Sequence, residues 1–285
     1  MGILHSEEEI VYHFFTETEF FTESEAVITG PDVNHIKNVL RMKPGEKLLL
    51  SDGKGTNCLC EITELFPDKV LAKILPEEVD DTELPVKVTL YQGLPKADKM
   101  EFIIQKCVEL GVTKIVPVDT DRAVVKLDAK KAKSKLARWQ AIAHSAAMQS
   151  GRMVEPRVHE SHTVKQAVQL LREFDCVLVC WEECPSTKTI AAALEQALGN
   201  ASVDKPRIAV VVGPEGGMAL TRELIGSLKP GQSLSIFIGP EGGFSDGEVE
   251  LAMQSGVKPV TLGKRILRTE TAGMFVMAAV GLLLE

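Results

Sequence analysis

The chain has 285 residues, 45% hydrophobic and 25% charged, with a formal net charge of −8. That length allows one large domain or two ordinary ones around a real core, and the composition is that of a soluble globular protein. The acidic total argues against a protein that coats nucleic acid non-specifically, though not against a local basic face, because charge distribution matters more than its sum.

The N-terminal His5-Ser6-Glu7-Glu8-Glu9 lacks the basic, apolar and small-residue segments of a secretory signal. Residues 1–11 are expected to form a ragged acidic extension. From Tyr12 the chain breaks into short segments: Lys47 to Ser51, the turn Asp52-Gly53-Lys54-Gly55, Asn57 to Thr63 and Lys69 to Ile74. Short strands punctuated by Asp-Gly and Pro-Asp turns predict a small β-barrel or sandwich over residues 12–80. Pro76 to Pro85, rich in Glu and Asp, reads as a linker.

The pattern then changes to alternating strands and helices, so residues 85–285 form a second, α/β domain around a parallel sheet. Val86 to Tyr91 alternates at period two, and Met100, Ile103, Ile104, Cys107 and Val108 share one helical face that ends at Gly111. Ile115 to Val118 is a strand, and Lys130 to Ser150 a long helix stopped by Gly151. Cys176 to Trp181, Arg207 to Val212, Leu234 to Ile238 and Pro259 to Leu262 are further strands. The longest apolar run, Met274 to Leu284, is about half of the roughly 20 residues that span a bilayer. A buried helix, no membrane contact and a cytoplasmic location are expected.

Cys176, Cys180 and Cys184 are spaced by three residues, but zinc C-x2-C pairing is absent and the C-x3-C-x2-C iron–sulfur spacing is missed by one. Cys176 and Cys180 fall in an apolar strand, where cysteine acts as a small hydrophobe. No metal is expected.

Gly213-Pro214-Glu215-Gly216-Gly217 recurs 26 residues later as Gly239-Pro240-Glu241-Gly242-Gly243. Only the second copy is followed by a capping box, Ser245-x-x-Glu248, and by the helical stripe Val249, Ala252, Met253. The second copy is therefore read as the working loop. Its glycines can adopt backbone angles closed to other residues and offer N–H and C=O groups to a ligand. No G-x-G-x-x-G dinucleotide spacing is present.

Gly-Pro-Glu-Gly-Gly-Phe-Ser, followed by Leu262-Gly263-Lys264-Arg265-Ile266-Leu267-Arg268-Thr269-Glu270-Thr271-Ala272, resembles the cofactor loops of SPOUT methyltransferases. The nearest likeness is to those that methylate N3 of a uridine in small-subunit (16S) ribosomal RNA. The resemblance runs from Tyr12 onward through His35-Ile36-Lys37-Asn38-Val39-Leu40-Arg41, Asp98 to Lys106, Glu109 to Thr113 and Arg138 to Arg152. It implies a PUA-like RNA-binding barrel at residues 12–80, a SPOUT domain with a deep trefoil knot at 85–285, and a homodimer. It also implies S-adenosylmethionine as cofactor, held by Ile238, Gly239, Pro240, Glu241, Gly242, Gly243, Leu262, Gly263, Ile266, Leu267, Arg268 and Thr271. The residues around the first Gly-Pro-Glu-Gly-Gly are longer than this region usually runs.

On this reading Arg268 holds the target nucleotide, by phosphate or by the anion developing at O4. Glu270 is either a general base, an orienter of Arg268, or simply a first-turn acid favoured by the helix dipole. Glu241 reads as capping a turn. Between Asp121 and Arg138 stand seven basic residues against two acids. With Arg152 and, in the barrel, Lys37, Arg41 and Lys43, they suggest phosphate contacts that position RNA without reading bases; Arg122 and Lys126 lead this set. The assembled small subunit is the expected substrate. Two rival readings are a ribose 2′-O-methyltransferase, disfavoured by Ile-Leu-Arg-Thr-Glu-Thr in the last loop, and a non-catalytic RNA-binding or ribosome assembly protein.

Overall fold

The structure, a computed structural model, describes residues 3–5, 9–126, 128–170, 173–179, 209–212, 228–254 and 267–285. It divides into two units, Met1–Glu83 with His144–Pro156, and Leu84–Ala143 with Arg157–Glu285. Residues 144–156, which the sequence reading places in the second domain, thus belong to the first unit.

In the first unit β1 Ile3–His5 pairs antiparallel with β2 Glu9–Phe15. The expected ragged extension is therefore corrected: residues 3–5 and 9–11 pair as antiparallel strands. With β3 Glu25–Thr29, β4 Lys47–Ser51, β5 Asn57–Leu65 and β6 Lys69–Ile74 they form a six-stranded sheet in the order β1-β2-β4-β5-β6-β3. Only β2–β4 is parallel. Phe14, Ile28, Leu48, Leu50 and Ile62 alternate into one buried core, as period-two strands require. Helix α1 Pro31–Asn34 runs into a single π-helical turn, His35–Val39, which the sequence reading leaves without an element. It drives Ile36 into that core.

The second unit is built on a parallel sheet in the order β10-β8-β7-β13-β11-β12. Its strands are β7 Lys87–Gly93, β8 Lys114–Asp119, β9 Arg157–Val158 (also on β8), β10 His162–Thr163, β11 Cys176–Val179, β12 Ala209–Val212 and β13 Ser233–Ile238. Its helices are α2 Lys99–Glu109, α3 Ala129–Ser150, α4 Val164–Leu170, α5 Asp246–Gln254 and α6 Thr269–Leu284. From His144 onward α3 belongs to the first unit.

Val88 through Gly93 of β7 are all buried, as expected for a parallel sheet covered on both faces. The strand lies between β13 and β8. Tyr91 stacks on Phe237 with ring centroids 4.1 Å apart, on the face that packs Val168, Val249 and Ala252. On the other face a Cβ at Gly273 of α6 would lie 3.1 Å from Ile238 Cδ1 and 3.4 Å from Cys107 Sγ. The last helix is not fully buried: Ala272, Gly273, Val276, Met277 and Val280 face inward, whereas Phe275 and Leu282 are 44% and 85% exposed. Among the described residues no helix is long and apolar enough to cross a membrane.

Candidate active site

The parallel strands β7, β8 and β13 bring their carboxyl ends to one edge of the sheet, where open α/β sheets bind ligands. At that edge β13 ends in buried Ile238, Gly239 and Pro240. The N–H of Gly243 donates to Pro240 O at 3.0 Å, and Gly243 takes φ +69°, which closes the turn. Close approach explains two glycines beside it. A Cβ on Gly93, the last residue of β7, would sit 2.5 Å from Pro240 Cδ, and one on Gly242 would sit 3.0 Å from Arg122 O. Both absences of a side chain therefore serve packing of the turn against its own unit.

The expected capping box closes: Ser245 N donates to Glu248 Oε2 at 2.7 Å, and Glu248 N lies 3.4 Å from Ser245 Oγ. Glu248 also accepts from Asp121 N at 2.8 Å, and Ser245 Oγ donates to Asp121 Oδ2 at 2.8 Å. The start of α5 is thereby tied to the loop after β8.

The second segment meets the first through Thr269, the first residue of α6. Its hydroxyl donates to Gly239 O at 2.7 Å and accepts from Gln92 Nε2 at 2.9 Å. Gln92 Nε2 also donates to Gly93 O at 3.0 Å, while Gln92 Oε1 is buried and has no hydrogen-bond partner among the described residues. Arg268 precedes the helix in extended conformation, exposed and without an ion pair among the described residues. Thr271 N donates to Arg268 O at 2.9 Å, an ordinary first-turn bond.

Glu241 accepts from Lys96 N at 3.1 Å and from Lys99 Nζ at 2.9 Å, and Lys99 Nζ lies 3.3 Å from Glu270 Oε2. Burial alone would push the Glu241 carboxyl up. Its hydrogen bonds to Lys99 and to backbone N–H groups outweigh this and hold it below the ordinary value. Leu262, Gly263, Ile266 and the earlier Gly213–Gly217 copy lie outside the described residues, as do Cys180 and Cys184. Among the described residues no group of three or more His, Cys, Asp or Glu could hold a metal ion.

The basic residues separate into two classes. Arg138 pairs with Glu101 at 2.7 Å, Lys135 lies 3.7 Å from Glu101, and Lys131 lies 3.3 Å from Asp128. Lys126, Lys130 and Lys133 are exposed and have no ion pair among the described residues. Lys126 borders an open cavity of about 590 Å³ with Thr120, Thr163, Lys165 and Leu251. Arg122 is exposed, 3.8 Å from Asp246. In the first unit Arg41 is exposed, and Lys37 Nζ donates to Phe66 O at 2.6 Å. Arg152 departs from expectation. It is 2% exposed, and its guanidinium holds the Glu83 carboxylate through Nε at 2.8 Å and through Nη2. A guanidinium buried on a carboxylate cannot reach a phosphate, so Arg152 is a structural residue.

Two family models match the chain, one for an RNA methyltransferase domain over residues 82–224 and 219–281 and one for an RNA methyltransferase PUA domain over 28–75. Ribosomal RNA small subunit methyltransferase E of Bacillus subtilis is 39% identical over 89% of this chain and 88% of its own. The chain belongs to the ribosomal RNA small subunit methyltransferase E family. The Synechocystis member is 31% identical over 97% of this chain and 79% of its own. The Neisseria gonorrhoeae member, solved bound to S-adenosylmethionine, superposes with a TM-score of 0.67 at 33% identity, covering 96% of this chain and 98% of its own. A putative methyltransferase of Legionella pneumophila, also solved with that cofactor, gives a TM-score of 0.71 at 26% identity, covering 95% and 96%.

Around these two segments, sequence reasoning missed Gln92 and Lys99 and gave Thr269 no role. Gln92 looks like any strand residue, and only the long-range pairing of β7 with β13 places it under the turn. Lys99 falls in the Asp98 to Lys106 stretch of the resemblance, and its charge at the start of an amphipathic helix was the sole available signal.

Proposed function

We propose that the chain methylates N3 of a uridine in small-subunit (16S) ribosomal RNA, with S-adenosylmethionine as methyl donor. The observation that carries this reading is the 2.7 Å hydrogen bond from Thr269 to Gly239, which joins the two segments assigned to the cofactor. The surroundings suit an adenosyl group: backbone at the carboxyl ends of β7 and β13, the buried acceptor Gln92 Oε1, which has no partner among the described residues, and no charge demanded of the ligand. A buried acceptor of this kind is satisfied by a ligand N–H. Ile238 to Gly243, Leu267, Arg268 and Thr271 are assigned to the cofactor, together with Leu262, Gly263 and Ile266, which lie outside the described residues.

S-adenosylmethionine supplies a methyl group on a sulfonium, whose C–S bond breaks as the bond to N3 forms. Uridine N3 carries a proton at neutral pH and attacks only once that proton has been lost to solvent water; the donor then leaves as the neutral thioether S-adenosylhomocysteine. Alignment of the two reactants supplies roughly 7–11 kcal/mol of the barrier, so the residues needed are few. Arg268, exposed and without an ion pair among the described residues, holds the nucleotide or the charge growing on O4. Glu270, engaged by Lys99, orients the start of α6 rather than taking the proton. Arg122, Lys126, Lys37 and Arg41 contact phosphates, and the cavity bordered by Lys126 is lined also by Asp121 and Glu248. A trefoil knot, a closed PUA-like barrel, action on the assembled subunit in the cytoplasm and a homodimer belong to the same reading. Exposed Phe275 and Leu282 on α6 favour a partner subunit there.

The test is calorimetric titration with S-adenosylmethionine of wild type, Gly242→Val and Gly216→Val, followed by transfer to small-subunit particles and to protein-free RNA. Binding lost only in Gly242→Val, and a product base that blocks reverse transcription, are expected. A methyl on ribose would move the chain to the 2′-O class. Absence of binding by wild type would leave an RNA-binding module.

A further inference from the structure

Lys99 stands in the first turn of α2, on neither cofactor segment, yet its ammonium lies 2.9 Å from Glu241 Oε1 and 3.3 Å from Glu270 Oε2. Glu241 belongs to the glycine turn after β13, and Glu270 to the first turn of α6. Lys96 N donates to both oxygens of Glu241, at 3.1 and 3.2 Å, so the segment leading into α2 grips that carboxylate twice. We propose that Lys99 is a positioning residue: by neutralising Glu241 and Glu270 together it locks the glycine turn to the start of the last helix. The proposal rests on the reading of those two segments as the cofactor site.

Two oxygens so close to one nitrogen lie within about 6 Å of each other, where like charges repel strongly outside bulk water. The two carboxylate side chains are only 27% and 15% exposed, so solvent screens them incompletely. An isolated surface pair contributes little. A cation shared by two carboxylates differs, because its removal leaves two uncompensated charges on segments that must stay together. Lys99 holds its proton more tightly than an ordinary lysine, through the hydrogen bond to Glu241 first and the pairing with Glu270 in addition. It therefore remains a cation wherever the acids are charged.

Amide hydrogen exchange of residues 239–244 and 268–273, in the full ligand-free chain, tests the tether without reference to activity. Lys99→Met is expected to speed exchange of both segments roughly tenfold, a typical coupling between groups in contact. Lys99→Arg is expected to stay near wild type. The Lys99→Met/Glu270→Gln double variant should recover most of the protection, since it removes the repulsion although it also removes a native carboxylate. Added salt should likewise slow exchange in Lys99→Met. Affinity for S-adenosylmethionine should follow the same order. Unchanged exchange in Lys99→Met, or a double variant less protected than the single, overturns the proposal. Failure of wild type to bind S-adenosylmethionine while the exchange pattern holds would overturn the functional reading and leave the tether standing.

Discussion

The hydroxyl of Thr269 donates to the carbonyl of Gly239 at 2.7 Å while accepting from Gln92 at 2.9 Å. Thr269 is 1% exposed and Gln92 fully buried, so neither partner has water to fall back on. Thr269→Val keeps the shape and deletes both bonds, leaving a carbonyl and an amide N–H unpaired. A loss of about 1–3 kcal/mol is expected in denaturant unfolding, with weaker cofactor binding, whereas Thr269→Ser should retain most of both. Equal stability of the valine variant and wild type would show that the bond contributes nothing.

Gly93 and Gly247 make a matched pair. A Cβ at Gly93 would overlap the Pro240 ring and come within 2.9 Å of Gly239 C, whereas one at Gly247 meets nothing within 4 Å. Gly93→Ala should destabilise by about 1–3 kcal/mol and push the turn out of place. Gly247→Ala, inside α5, should be neutral or more stable by up to about 1 kcal/mol. Thermal unfolding of the two side by side checks both, and similar losses would mean that the close approach of β7 to the turn is not what demands glycine.

Arg268 is exposed and has no ion pair among the described residues, so the fold does not need its charge. Arg268→Ala is expected to keep the unfolding midpoint and S-adenosylmethionine affinity while lowering methyl transfer at least about a hundredfold, in the range of lost electrostatic stabilisation. Loss of cofactor affinity instead would reassign the residue to the cofactor wall.

Much of this architecture is readable from local signals. The apolar face of α2, the capping box at Ser245 and Glu248, and strands such as Lys69–Ile74 are patterns within a few residues of each other. What escaped depends on pairing between segments. The strand character of residues 3–5 and 9–11 comes from their pairing with each other. The sign of a charge says nothing of its partner, which is why Arg152 reads as an RNA contact until Glu83 is seen beneath it. Lys99 escaped for the converse reason: the two acids that give it a role lie far along the chain.

The Arg152 side chain is 3% exposed and that of Glu83 15%, and Glu83 Oε1 also accepts from Met153 N at 2.9 Å and Val154 N at 3.1 Å. Breaking a buried pair from one side leaves a bare charge, so Arg152→Met should cost about 3–5 kcal/mol. An RNA contact would instead give a stable variant with a shallower salt dependence of RNA binding.

His13 gives the first unit an acid-sensitive element. It is 5% exposed, with Nε2 2.7 Å from Ser51 Oγ and its ring 4.9 Å from that of Phe15. Burial is the main cause that lowers its pKa to about 4; a backbone hydrogen bond at Met148 opposes the fall and His144 adds to it. The unfolded chain takes up this proton near pH 6.5, so between that pH and about 4 the unfolded state binds more protons than the folded one. Stability from this group is complete above pH 6.5 and decreases as pH falls towards 4, by about 3 kcal/mol in all. His144 works in the opposite sense. Its hydrogen bond to Glu155 raises its pKa despite burial, so its contribution is present at low pH and lost as pH rises through the folded value. Subtracting the pH–stability curve of His13→Gln from that of wild type separates the two histidines. The difference should slope upward from pH 4 to 6.5 and be flat above; a flat difference throughout would mean that His13 takes up its proton without unfolding its surroundings.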